Sequence, residues 1–117
     1  MLPPRLIREV LALNAQEGGV GLYEVIWDLN TRVPTADPSV TIHASIPVLV
    51  EFITRGWVEL YMECWATRLE RPVSRASALS VAADPLSWAP PSDEATWYYC
   101  YVITEAGQRA HARGLLS

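Results

Sequence analysis

The apolar positions of the chain change period from one stretch to the next, and each change marks an element. Between Ser45 and Thr54, Ile46, Leu49, Val50 and Ile53 recur at the i, i+3, i+4, i+7 spacing of one apolar helix stripe. Ser45 offers a capping hydroxyl, and Pro47 suits a first turn, where amides lack intrahelical partners. Arg55 lies near the negative helix end, and Gly56 can take the left-handed conformation that closes a helix. From Trp57 to Cys64 the period switches to two, W-V-E-L-Y-M-E-C, the mark of a half-buried strand. The pattern predicts a helix that stops at a glycine and turns directly into a strand.

On the N-terminal side the spacing predicts a first helix over Pro4 to Gln16, with Leu6, Val10 and Leu13 flanked by Ile7 and Leu11. Glycines 18, 19 and 21 break it, and Leu22, Val25, Ile26 and Leu29 predict a second helix over Leu22 to Asn30. Asp37 before Pro38 is a cap-plus-N1 pair where a helical turn can begin, either joining the third helix or breaking near Ser45. Beyond the first strand, expected to reach about Thr67, Arg68 to Pro72 reads as a charged turn. Ser74 caps a short helix over Arg75 to Ala83, and Trp88 to Pro91 reads as extended. Thr96 to Ile103, T-W-Y-Y-C-Y-V-I, predicts a second strand, and Thr104 caps a last helix over Glu105 to Arg113. Antiparallel pairing would turn Leu60, Met62, Cys64, Cys100 and Val102 toward the helices and Glu59 and Glu63 toward water.

Composition narrows the classes. The 117 residues are 50% hydrophobic and 19% charged, enough for one folded domain over residues 1–117. A net charge of −4 speaks against a broadly cationic nucleic-acid binder and fits a basic partner. No signal peptide or membrane span is legible, so a cytoplasmic protein with reduced, buried thiols and no membrane partner is expected. His43 and His111 lie far apart, the two cysteines form no C-x-x-C pair, and the glycines at 18–21 precede no phosphate-loop lysine. The expectation is a protein with no catalytic residues, no metal site and no cofactor, and not an enzyme. Glu59 and Glu63 share a strand face, which usually serves solubility.

Arg55 to Leu60, R-G-W-V-E-L, is similar to the R-G-L-V-E-x run of the multiple-antibiotic-resistance and phenolic-acid regulator families. Ile103 to Ala110, I-T-E-A-G-Q-R-A, is similar to their L-T-E-x-G-R-x-A. In this order the two pieces make the chain resemble the winged helix-turn-helix superfamily everywhere except residues 68–95. The resemblance implies an α+β fold: a three-helix bundle, a two-stranded antiparallel wing carrying an inserted short helix over residues 68–95, and a short C-terminal helix. The chain departs from those regulators in having no added dimerisation helices, which implies a monomer or weak dimer. Its wing is enlarged, and its third helix lacks a cationic outer face.

Two functions compete. With Ile46, Leu49, Val50 and Ile53 inward, Pro47, Val48, Glu51 and Phe52 form an outer patch suited to a protein contact, extended by Trp97 and Tyr99 of the aromatic strand. This is a non-catalytic module of adaptor or immunity-inhibitor type, unless Phe52 is core. The alternative is a DNA-binding transcriptional regulator docking through His43 and Arg55 of the third helix and through Arg68, Arg71 and Arg75 of the wing, unless those arginines are a solvated turn. Trp65 and Trp88 are expected to be covered by the inserted helix.

Overall fold

The computed structural model describes residues 2–116. Within them the fold is α+β, with five α-helices and one four-stranded antiparallel sheet of order β1-β4-β2-β3. The elements are α1 (Pro4–Ala15), β1 (Val20–Gly21), α2 (Leu22–Arg32), α3 (Pro38–Thr54), β2 (Val58–Cys64), β3 (Glu70–Pro72), α4 (Arg75–Ala83), β4 (Trp97–Ile103) and α5 (Glu105–Ala112). A 3-10 turn, Pro85–Trp88, follows α4. One apolar core joins α1, α2, α3, α4 and α5 to a single face of the sheet.

The third helix starts at Pro38 rather than Ser45. Asp37 caps it by accepting from the Ser39 amide at 2.8 Å, with Pro38 in the first turn. Pro47 therefore sits inside the helix and removes one bond to the His43 carbonyl. Both residues are exposed, so that carbonyl faces solvent and the helix survives. The longer helix also shifts the buried stripe to Thr41, Ser45, Leu49, Phe52 and Ile53. Thr41 and Ser45 enter the core because their hydroxyls are satisfied by their own helix: Ser45 donates to the Thr41 carbonyl at 2.7 Å and Thr41 to the Asp37 carbonyl at 3.1 Å. In α1 the stripe is likewise rotated, with Ile7, Val10, Leu11, Asn14 and Ala15 inward and Leu13 exposed.

The sheet has four strands in place of the expected two-stranded wing. β2 pairs with β4 in register Leu60↔Tyr101 and with β3 in register Met62↔Arg71, while Val20 of β1 pairs with Tyr101. The expected charged turn is thus an edge strand, short and ending at Pro72, as edges often are. The register sends Trp97, Tyr99, Tyr101 and Ile103 to the helix face with Leu60 and Cys64. Cys100 and Val102, expected to face the helices, lie on the other face. Cys64 and Cys100 are therefore on opposite sides of the sheet, both free and buried.

The inserted segment is tied to the body. Trp88, 1% exposed, donates its indole N–H to the Ala82 carbonyl at 3.0 Å and joins the core. Tyr101 donates to the Leu11 carbonyl at 2.8 Å, fastening the sheet to α1. Trp65, expected to be covered, is 51% exposed and stands in the β2–β3 connection.

Candidate functional site: the outer face of the sheet

The residues expected to bind a protein do not form one surface. Phe52 is fully buried, with the Arg8 guanidinium 5.3 Å from its ring centroid and the Trp57 ring at 5.7 Å, so it is core and not an outer contact. Val48 is half-buried against the core, and Pro47 is exposed. Glu51 is held by Arg8 at 2.8 Å and by Arg55 at 3.3 Å, which neutralises it. Trp97 and Tyr99 are half-buried on the helix face of the sheet, and the Arg71 guanidinium lies 4.4 Å from the Trp97 ring centroid.

The expected nucleic-acid residues are also dispersed. Arg75 donates to the Thr54 carbonyl at 3.4 Å, so a residue of α4 complements the negative end of α3. Arg55 pairs with Glu51 and lies over the Trp57 ring at 5.2 Å. Arg68, with a left-handed φ of 57°, sits in the connection at the opposite end of β3, with Arg71 on β3 itself. His43, exposed, is about 18 Å along the α3 axis from Arg55 at 1.5 Å per residue. No continuous basic stripe results.

The strongest chemistry lies on the sheet face turned away from the helices. By register this face carries Glu59, Tyr61 and Glu63 from β2, Glu70 from β3, and Tyr98, Cys100 and Val102 from β4. Tyr23, from the first turn of α2, folds down onto it. Gly21 makes that possible, since a β-carbon there would lie 2.6 Å from the Tyr23 ring. The Tyr23 ring meets Tyr98 edge-to-face at 5.4 Å and Trp27 at 4.9 Å. On the far side the Tyr61 hydroxyl packs against Gly19, where a side chain would collide with it. The result is a small cluster of Tyr23, Tyr98 and Cys100 with Tyr61 packed alongside.

Carboxylates surround the cluster. Glu63 Oε2 accepts from the Tyr98 hydroxyl at 2.9 Å and lies 4.0 Å from the Cys100 sulfur, while Glu24 returns to the Gly21 amide at 2.7 Å. The ionisable groups register this field. Burial and then the charge of Glu63 push the Cys100 thiol up to about 12, opposed by a hydrogen bond from Tyr61, with smaller upward contributions from Glu24 and Glu70. Burial and then the hydrogen bond to Glu63 raise Tyr98, and burial leads the rise of Tyr61 and Tyr23 as well. Among the described residues, Glu24, Glu59, Glu63 and Glu70 have no arginine or histidine within ion-pair distance. Among the helix carboxylates, Asp28, Glu51 and Glu105 are paired, while Glu9 of α1 is not.

This arrangement offers carboxylate acceptors beside a half-buried Tyr61, with Tyr23 and Tyr98 buried beneath, rather than a nucleophile. A thiol raised to about 12 stays protonated at neutral pH. Among the described residues, no three of His, Cys, Asp and Glu are placed to share a metal ion. Period-two alternation puts Glu59, Tyr61 and Glu63 on one side, and the aromatic run that includes Tyr98 suggests a binding surface, but nothing local singles out Tyr23, Glu24, Glu70 or Cys100 for this face. Tyr98 and Cys100 join it through the parity of β4 against β2, which W-Y-Y-C-Y does not fix, Glu70 through the β2–β3 register, and Tyr23 and Glu24 through the start of α2. No helix among the described residues is long and apolar enough to cross a membrane. Comparison with protein-family models, with curated proteins and with solved structures finds no match.

Proposed function

We propose that this chain is a non-catalytic protein-binding module, of adaptor or immunity-inhibitor type, that receives a cationic partner on the outer face of its sheet. The observation that carries the reading is the set of carboxylates without an ion pair, Glu24, Glu63 and Glu70, around the tyrosine cluster, with Glu59 on the same sheet face. Guanidinium groups satisfy such a surface by charge-assisted hydrogen bonds to carboxylates. The net charge of −4 steers a basic partner toward it. The contact thus moves away from the third helix, where Phe52 is buried and Glu51 is already neutralised. A winged-helix architecture with an enlarged wing accords with this module: three helices lead into β2, the insertion contributes β3 and α4, and β4 hands over to α5. A regulator that reads DNA has less support, because Arg55 and Arg75 serve the end of α3 while Arg68 and Arg71 lie apart from them.

The test is fluorescence anisotropy with a short labelled peptide of alternating arginine and serine, across a salt series. The wild-type chain should bind it at low ionic strength and release it as salt rises. Glu63→Gln with Glu70→Gln should weaken binding at least tenfold, while Glu51→Gln leaves it unchanged. Failure of the wild type to bind at low salt, or equal binding by the double variant, would end the proposal.

A further inference from the structure

A cavity opens at the edge of β2 that faces away from β4, where β3 gives way to α4. It holds about 300 Å3, with Ile53, Leu60, Val73 and Ala78 among its walls and the exposed residues Glu59 and Arg75 beside them. The Thr104 amide donates to the Trp57 carbonyl at 2.9 Å, so alternation along β2 turns the N–H and carbonyl of Val58 away from β4. On that side β3 has already ended, and its last bond to β2 runs from the Val73 amide to the Leu60 carbonyl at 3.2 Å. Val58 lines the cavity and so presents a backbone donor and acceptor with no strand beside them. Among the described residues neither Glu59 nor Arg75 has an ion-pair partner, although the two line one cavity. Arg75 makes a long bond of 3.4 Å to the Thr54 carbonyl, and its Nη1 stands over Gly56, 3.8 Å from where a β-carbon would lie. α4 starts at Arg75, so the positive end of that helix lies on the same wall.

We propose that this cavity binds a free apolar α-amino acid of branched-chain size, as its zwitterion. Opposite charges that line one cavity without neutralising each other fit a ligand that carries both. The ligand carboxylate meets the Arg75 guanidinium at the start of α4, and its ammonium meets the Glu59 carboxylate and the Val58 carbonyl. Its side chain lies against Ile53, Leu60 and Ala78, all of them buried. A simple acid would bring its charge against Glu59, and a simple amine would bring its own against Arg75, so neither satisfies both residues. A volume near 300 Å3 stands at the small end of ligand sites, which suits an amino acid better than a nucleotide. The site shares Glu59 with the outer face but does not rest on the cationic-partner reading.

Heteronuclear NMR titration of the labelled chain with L-leucine tests this, beside N-acetyl-L-leucine and L-leucinamide, which each lack one of the two charges. L-Leucine should shift the amides of Gly56, Val58, Leu60 and Arg75 in a saturable way, and each derivative should bind at least tenfold more weakly. Arg75→Gln should weaken L-leucine at least tenfold and leave L-leucinamide unchanged. Glu59→Gln should weaken L-leucine at least tenfold and leave N-acetyl-L-leucine unchanged. The two substitutions lie on different elements, and Glu59 is an exposed strand residue, so the result does not hang on one variant's folding. Absence of saturable shifts with L-leucine, or shifts centred away from these four residues, would overturn the proposal. N-Acetyl-L-leucine binding as tightly as L-leucine would assign the cavity to an acid or a peptide C-terminus, against the proposal. L-Leucinamide binding as tightly would assign it to a cation, equally against it. No arginine peptide enters the experiment, so the outer-face reading and this one fail separately.

Discussion

Gly107→Ala probes how closely the last helix approaches the sheet. Gly107 is the third residue of α5, and its amide donates to the Thr104 hydroxyl at 3.0 Å, which itself donates to the Gly56 carbonyl at 2.6 Å. A β-carbon at this position would overlap the Trp57 carbonyl oxygen, and would lie 2.9 Å from the Trp57 carbonyl carbon and 2.7 Å from Ile103 Cγ1. In an unencumbered helix, glycine to alanine stabilises by about 1 kcal/mol. Here the methyl meets backbone, which cannot rotate away, so α5 must lift off the start of β2. Overpacking of this kind costs about 1–3 kcal/mol, and the strained Thr104 bonds add about 1 kcal/mol. The net expectation is a loss of about 2 kcal/mol, opposite in sign to the helix-propensity effect. With a urea dependence of about 1–2 kcal/mol per molar, the unfolding midpoint should fall by about 1–2 M at unchanged slope. Urea titration followed by far-UV circular dichroism reads this directly. An unchanged or raised midpoint would refute the close approach of α5 to Trp57.

Three further outcomes follow from the packing and the field of the outer face. Trp88→Ala should cost about 3–5 kcal/mol by emptying the space under the inserted segment, a loss visible in the same urea titration. Asp37→Ala should cost about 1 kcal/mol through loss of the cap on the extended third helix, whereas Ser45→Ala should cost less than a true cap would. In a Cys64→Ser background, Cys100 should resist thiol-labelling reagents at pH 8 until the chain is unfolded. Its neutral form is favoured by the fold, so that contribution is full below the ordinary thiol value of 9.0 and is lost as pH rises through about 12. Stability that rises across that alkaline window would contradict the assignment.

Much of the fold is legible in local chemistry. Ser74 and Thr104 cap α4 and α5 by accepting from Ser77 and Gly107 amides, as their positions before apolar runs imply. Gly56 ends α3 with a φ of 74°, and the stripe of Leu22, Val25, Ile26 and Leu29 is buried as its spacing predicts. What escapes is set by tertiary context. Hydrophobicity cannot see Thr41 and Ser45 as core residues, because their fit depends on hydroxyls bonded to their own helix. That error rotates the third helix and turns Phe52 outward. β1 is two residues long, too short to show alternation, and β3 has the composition of a turn. The outer-face cluster depends on the β2–β4 register, and no local pattern in an aromatic strand decides between its two faces.

The most direct measurement is a heteronuclear NMR titration of the labelled chain with the arginine–serine peptide at low ionic strength. The account predicts chemical-shift changes confined to residues 59–63, residue 70 and residues 98–102, with neighbouring changes at Tyr23 and Glu24. Changes centred on His43, Pro47 and Arg55 of α3, or on Arg68, Arg71 and Arg75, would contradict it and return the binding surface to the third helix or the wing.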